Sequence, residues 1–229
     1  MSRFKSKKIS FAIAIALVFL TLQFVGATDA SAQDEYSWIG RGYYLHNYPG
    51  SDSLDVENPE GFEPPIMTQF WADGGNGFGG EVEYMFRPNV GLWGGVAFSN
   101  IKTSLRYEQG DIGLTGTDRV DLRQFSLGGN YHFTPDRRFD LYAGVLASWV
   151  NFSSSTFNFS EVDRDYQVKY DAELSGGLNL GIDFPFSEGS PWLLSGGLRY
   201  MFLALEGNEN VYHITIDPLQ LFIGVGYRW

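Results

Sequence analysis

None of the three histidines, His46, His132 and His213, is followed two residues later by serine, the spacing at which a strand would present an imidazole and a hydroxyl on one face. Threonine takes that place in His213-Ile214-Thr215. His132 stands beside a turn and reads as a packing or hydrogen-bonding residue. No nucleophile–base pair emerges, so no catalytic residue is assigned and the chain is read as a non-enzyme. Cysteine is absent, which excludes thiolate-bound zinc and iron–sulfur clusters. Asp163-Arg164-Asp165 lacks the Asp-x-Asp-x-Asp-Gly pattern of a calcium loop and reads as a solvated acidic turn. Gly75-Asn-Gly-Phe-Gly-Gly80 fits G-x-G-x-x-G, but an alternating strand follows it where phosphate binding needs a helix. It reads as a flexible loop entering a strand. Neither a metal nor a cofactor is expected.

The remaining chemistry is charge, and its meaning depends on which way the side chains point. If the chain is built of strands, parity gathers Arg41, Arg199 and Arg228 with Glu81, Glu83, Glu173 and Asp183 on one common side. Charges held in a narrow interior must be paired or wet, because an isolated buried ion costs several kcal/mol. These residues are expected to form a polar network filling a lumen. A selectivity constriction for a small solute is the sharper form of the same reading.

The strands are legible in the alternation. In the final segment Leu219, Leu221, Ile223, Val225, Tyr227 and Trp229 share one face, and Gln220, Gly224, Gly226 and Arg228 fall on the other. Residues 77–86 put Phe78, Val82, Tyr84 and Phe86 opposite Glu81 and Glu83. Residues 170–184 put Leu174, Leu178, Leu180, Ile182 and Phe184 opposite Glu173, Ser175, Asn179 and Asp183. Residues 192–204 put Trp192, Leu194, Leu198, Tyr200 and Phe202 opposite Ser195 and Arg199. The fourth strand breaks the rule: Val120 and Leu122 have the opposite parity to Phe125, Leu127, Tyr131 and Phe133. A bulge near Arg123-Gln124 is expected, or departure of the strand from the bilayer there. The fifth, 139–152, is ambiguous, since Tyr142, Leu146 and Val150 are as apolar as Leu141, Val145 and Trp149.

Short turn-forming connections (Arg87-Pro88-Asn89, Thr134–Arg138, Ser187–Pro191) alternate with long polar ones over 47–76, 105–118, 153–169 and 205–212. Four hairpins make eight strands. Aromatics collect beside the short turns and the termini: Trp38, Tyr84, Phe86, Tyr131, Phe133, Phe184, Trp192, Tyr227 and Trp229. Such a belt suits the headgroup level of a bilayer. The expected fold is all-β, an eight-stranded antiparallel transmembrane barrel with short periplasmic turns and long extracellular loops.

Export is expected as well. Arg3, Lys5, Lys7 and Lys8 precede an apolar run from Phe11 to Leu20, and Ala30-Ser31-Ala32 offers a cleavage site. Residues 1–32 read as a signal peptide and 33–229 as one barrel domain. Cleavage removes four of 16 basic residues and one of 27 acidic ones, leaving 12 against 26 and a net charge near -14. That excludes a nucleic-acid partner, whose phosphates need a basic face. Mean hydropathy is only -0.15 although 17% of residues are aromatic. A barrel that is apolar outside and polar inside combines the two.

Three segments resemble the OmpW family of outer-membrane barrels. Glu83-Tyr-Met-Phe-Arg-Pro-Asn-Val-Gly-Leu92 is similar to its first periplasmic turn. Asn130-Tyr-His-Phe-Thr-Pro135 with Leu141-Tyr-Ala-Gly-Val145 is similar to its fourth strand, turn and fifth strand. Ile216-Asp-Pro218 leading to Gly224-Val-Gly-Tyr-Arg-Trp229 is similar to its last strand, although Leu219 stands where relatives carry Trp and the chain ends in Trp, not Phe. The resemblance implies a narrow barrel with an extracellular hydrophobic funnel and passive uptake of small hydrophobic solutes. Phe62, Ile66, Met67, Phe70 and Trp71 make the first loop apolar and are candidates for the entrance or for a cap on the barrel, or else belong to an extension of strands one and two above the membrane. The alternative function is a structural or surface-interaction barrel whose acidic loops bind cations, lipopolysaccharide or host partners. Expected partners in either case are outer-membrane lipid and lipopolysaccharide, with barrel-assembly machinery reading the C-terminal strand.

Overall fold

The computed structural model describes residues 38–50, 54–56, 66–109, 112–134, 138–159, 164–206 and 213–229. The N-terminal segment with its expected cleavage site lies outside them. The described strands are β1 (Trp38–Tyr48), β2 (Leu54–Val56), β3 (Ile66–Asp73), β4 (Gly75–Arg87), β5 (Val90–Gln109), β6 (Ile112–His132) and β7 (Asp140–Phe152). They continue with β8 (Ser155–Phe159), β9 (Arg164–Val168), β10 (Glu173–Pro185), β11 (Trp192–Phe202), β12 (Ala204–Glu206), β13 (His213–Thr215) and β14 (Leu219–Arg228). Eight of these, β1, β4, β5, β6, β7, β10, β11 and β14, pair antiparallel in a ring closed by β5 with β6 and by β1 with β14. Closure leaves none of the eight with an unpaired edge, which is the requirement for strands in hydrocarbon.

The outer face shows what medium the ring sits in. Leu127 is 71% exposed, Leu174 67% and Phe78 66%. Side chains of this size, repeated on every ring strand, would be costly in water and are at rest in lipid. The inward partners alternate with them and are buried, as β14 shows with Gln220, Phe222 and Gly226 between exposed Leu221, Ile223, Val225 and Tyr227. The aromatic residues of the expected belt lie beside the short turns and the chain end. Trp38 is opposite Tyr84 with ring centroids 4.7 Å apart, and Trp192 is opposite Tyr227 at 5.0 Å. Trp38 and Trp229 exchange both backbone hydrogen bonds, at 3.1 and 3.0 Å.

The β10–β11 turn depends on Gly189, whose φ of 73° lies in the left-handed region where a Cβ is strained. Asp217 is the one described non-glycine residue with positive φ, at 28°. Its carboxylate accepts the Leu203 amide at 2.9 Å, which fixes the entry to β14.

Three sequence expectations are corrected. Of the two alternatives for β6 near Arg123-Gln124 the bulge is absent, since its pairing with β5 runs without a shift from Tyr131↔Val90 to Ile112↔Gln109, and the outer face turns from apolar to charged there. A register shift occurs instead at Met85/Arg87, beside the first short turn. The connection 105–118 is not a long loop, because β5 and β6 continue through it as one hairpin. At about 3.3 Å per residue these strands of 20 and 21 residues reach well past a bilayer even when tilted. The other long connections also carry strands. β3 replaces β4 beside the outer end of β5, from Asp73↔Lys102 to Ile66↔Gln109; β8 pairs with β9, and β12 with β13. Lastly, Gly75–Gly80 is strand from its first residue. A Cβ on Gly75 would stand 1.9 Å from the Asn100 carbonyl oxygen and one on Gly77 2.3 Å from that of Phe98, so neighbouring backbones occupy the space.

Candidate functional site in the barrel lumen

Inward side chains of the ring strands build the site, and glycines make room for them. An eight-stranded barrel is just wide enough to be filled by side chains, so each large group needs a small one opposite. Gly91 leaves space for Glu83, Gly95 for Glu81, Gly144 for Asn130, Gly181 for Tyr142 and Gly197 for Phe222; an added Cβ would come within 3 Å of each.

Arg41 is at the centre of the half nearest the short turns. Its Nη1 donates to Glu83 Oε2 at 2.7 Å and Glu81 Oε1 at 3.2 Å, and its Nη2 to Asp183 Oδ2 at 2.7 Å. The guanidinium also lies 4.8 Å from the centre of the Tyr142 ring. Arg199 donates to Glu81 and, at 2.8 Å, to the Tyr43 hydroxyl. It is enclosed by the rings of Tyr43, Trp93 and Phe222, 4.8–5.0 Å away. Ser195 donates to Asp183 at 2.6 Å, Asn130 to Glu83 at 2.8 Å, and Asn179 to Asn130 at 3.0 Å.

His132 extends this network to the rim. Its Nε2 is 3.2 Å from Glu83 Oε1 and its Nδ1 2.8 Å from Asp140 Oδ2, so serving both carboxylates requires hydrogen on both nitrogens. Arg228 donates to the same Asp140 oxygen at 3.0 Å. Arg41, Glu81, Glu83, Asp183 and Arg199 are all 4% exposed or less. In that half the lumen is a ladder of paired charges and not an aqueous pore.

The other half is different in kind. On β5, β6, β7 and β11, away from the short turns, polar inward residues give way to apolar ones, although buried Thr103 follows Ile101 on β5 and β1 ends on buried Asn47. Ser99 is followed by Ile101, Ser148 by Val150, Arg199 by Met201 and Leu203, and Gln124 by Leu122 and Val120. A belt of neutral groups marks the boundary: Gln220 donates to Asn47 at 3.0 Å and Gln124 at 3.2 Å, and the Ser126 and Ser148 hydroxyls are 2.7 Å apart. Beyond it Ala72, Phe157 and Ile216 join the apolar group as one buried cluster, with Phe152, Val168 and Tyr170 packed against it. Tyr170 lies above the ring strands, and burial pushes its phenol up to about 12 although it is bonded to Ser155.

The placement of the candidate residues is therefore mixed. Arg41, Glu81, Glu83, Asp183 and Arg199 come together, and Arg228 joins through Asp140. Glu173 stands apart, half-buried at the outer start of β10. Trp71 is half-buried on β3. Phe62 and the side chains of Ile66, Met67 and Phe70 lie outside the described residues. Tyr43, Trp93, Asn130, Asp140, Tyr142 and Asn179 complete the lumen without having been singled out as functional. Parity put Asn179 inward, opposite Leu178 and Leu180, and Tyr142 was hidden by an apolar ring that suits lipid equally well.

Val120 and Leu122 keep the regular parity of β6, and the lumen around them turns apolar. That accounts for their apparent exception.

Comparison with known proteins agrees with this architecture. The family model described as outer membrane protein beta-barrel domain matches residues 15–228. No curated protein matches by sequence. Among solved structures, the outer membrane protein OprG from Pseudomonas aeruginosa aligns with a TM-score of 0.67 at 18% identity, over 85% of this chain and 96% of that one. The outer membrane protein AlkL, solved in lipid bilayers, aligns with a TM-score of 0.52 at 17% identity, over 88% and 94%. The chain belongs to the outer-membrane β-barrel domain family and is a bacterial outer-membrane protein whose eight-stranded fold is OmpW-like.

Proposed function

We propose that this barrel passes small hydrophobic molecules from the extracellular side into the outer membrane, without catalysis. The observation that carries the reading is the apolar cluster around Ile101, Leu122, Val150 and Met201, set inside the extracellular half of a lumen whose periplasmic half is charged. An apolar cluster above a polar floor, at the level where the outer face meets the headgroups, offers a solute of matching polarity a dry stopping point. The charged ladder opposes onward movement along the axis, since parting its ions costs several kcal/mol each. Delivery sideways into hydrocarbon is the cheaper outcome. Trp71, half-buried on β3 one residue before Ala72 of the cluster, stands at the entrance in this reading.

Uptake of a fluorescent apolar solute by liposomes or deletion cells tests it. Wild-type protein is expected to raise the rate. Leu122→Asn, which puts an amide without partners into the cluster at about 1–3 kcal/mol, is expected to lower the rate about tenfold or more while the barrel still folds. Equal uptake with and without the protein would end the transport reading.

Export by the N-terminal segment and recognition of β14 by assembly machinery belong to the same proposal. N-terminal sequencing of the membrane-inserted protein is expected to begin at Gln33. A start at Met1 would show that the segment is retained.

A further inference from the structure

The lumen uses Arg41, Arg199 and Arg228, and the short turns hold Arg87, Arg137 and Arg138. Of the remaining basic residues in the acidic mature chain, Lys102, Arg106, Arg119 and Arg123 are exposed on the outer face of the β5–β6 hairpin. Lys102 pairs directly with Arg119, and Arg123 with Phe98. Like charges placed opposite each other across two strands are destabilising unless something of opposite sign lies over them. Among the described residues no ion pair reaches Lys102, Arg119 or Arg123. Asp73, opposite Lys102, and Asp121, between the two arginines, share the face and are exposed.

The patch sits at a particular height. Outward residues of β6 change from Leu127 and Phe125 to Arg123, Asp121 and Arg119, and those of β5 from Val96 and Phe98 to Asn100 and Lys102. The change from apolar to charged falls at the upper edge of the lipid-facing band, at outer-leaflet headgroup level. A groove of about 510 Å³ crosses that edge. Its lower walls are Tyr44, Phe78 and Phe98, the last two with ring centroids 5.9 Å apart, and Asn76, Asn100, Arg123 and the acidic Asp121 form its rim.

We propose that this groove and the basic face above it bind a phosphorylated lipid of the outer leaflet. An acyl chain would lie on Phe78 and Phe98, and the phosphate would bridge Arg123 with Lys102 and Arg119. The chemistry fits in both parts. Arginine forks hold phosphate oxygens, the anion relieves the Lys102–Arg119 opposition, and the aromatic floor continues the hydrocarbon surface. A free phosphate ion would use only the upper part. The proposal places lipopolysaccharide contact on a basic outward face and not on cation-bridged acidic loops, and it is independent of solute passage.

The test uses the full mature barrel, refolded free of lipid in detergent and titrated with bisphosphorylated lipid A, with bound lipid counted by native mass spectrometry. Expected results are saturable binding, and weakening by roughly fivefold for each charge removed, about a hundredfold for Lys102→Ala/Arg119→Ala/Arg123→Ala. Should the triple variant fail to fold, Lys102→Gln and Arg123→Gln singly are expected to show the fivefold steps. Dephosphorylated lipid A is expected to bind no better than phosphatidylcholine, and inorganic phosphate at millimolar concentration to compete weakly. Binding by the variants within twofold of wild type, equal retention of dephosphorylated lipid A, or full displacement by inorganic phosphate would each overturn the proposal.

Discussion

Arg41→Ala is expected to lower the stability of the folded barrel by about 3–5 kcal/mol, read as an earlier urea midpoint in a bilayer and a lower gel-shift temperature. The size follows from what the substitution leaves behind. Arg41 is the shared partner of Glu81, Glu83 and Asp183, all without exposure at the side chain. Removing it leaves Glu83 with His132 and Asn130, Glu81 with Arg199, and Asp183 with Ser195 alone. Adding Asp183→Asn to Arg41→Ala is expected to recover part of the loss, because it removes a buried charge that no longer has a counterion. That sign would not appear if Arg41 acted only by filling space. Arg199→Ala is expected to lower the gel-shift temperature as well, through Glu81 and through lost packing on Tyr43, Trp93 and Phe222. Unchanged stability in Arg41→Ala would mean that water reaches the ladder and screens it.

Gly224→Ala is expected to be the other large effect, and Gly42→Ala its control. Gly224 faces Tyr43 across the β1–β14 pair, and Gly42 adjoins Tyr43 on β1. A Cβ at Gly224 would lie 2.0 Å from the Gly42 carbonyl oxygen and 2.6 Å from the Tyr43 Cα, whereas at Gly42 it would meet nothing within 4 Å. The lumenal substitution must push two hydrogen-bonded backbones apart at the seam where the first and last strands close the ring. Overpacking of a filled interior costs about 1–3 kcal/mol, and backbone displacement takes Gly224→Ala to the upper end. Gly42→Ala, outward and unobstructed, is expected to stay within about 0.5 kcal/mol of wild type. Equal urea midpoints for the two variants would show that the lumen has slack at this level.

Much of the ring was legible because lipid imposes a simple rule on one face. β4, β10, β11 and β14 each show an apolar residue at every second position, and the structure turns those residues outward. No such rule binds the inward face. Its polarity is set by what stands opposite, often on a strand far away in sequence: Arg41 meets Asp183, and Arg199 meets Glu81. Parity could say that these groups were inward but not which would pair. It also gathered Glu173, which has the inward parity and stands at the outer end of β10, opposite Val150.

Two features misled for one shared reason. Val120 and Leu122 were apolar on a face that is polar lower down, and Tyr142 and Val150 were apolar on a strand whose outer face is apolar too. Alternation reports the contrast between two faces, and contrast fails where the lumen itself turns apolar. The polar hairpin over 105–118 looked like loop because solvated strand residues carry no hydrophobic period, yet β5 and β6 stay paired through it. The amino-acid sequence by itself determined an all-β chain, the number of ring strands, the lipid-facing residues and the resemblance to one family of barrels. Those follow from local rules of alternation, turns and solvent. The tertiary structure alone decided the pairing of the buried charges, the change from charged floor to packed apolar cluster and the basic face beside the outer groove. Each of these is a relation between strands, and strand neighbours are fixed only when the ring closes.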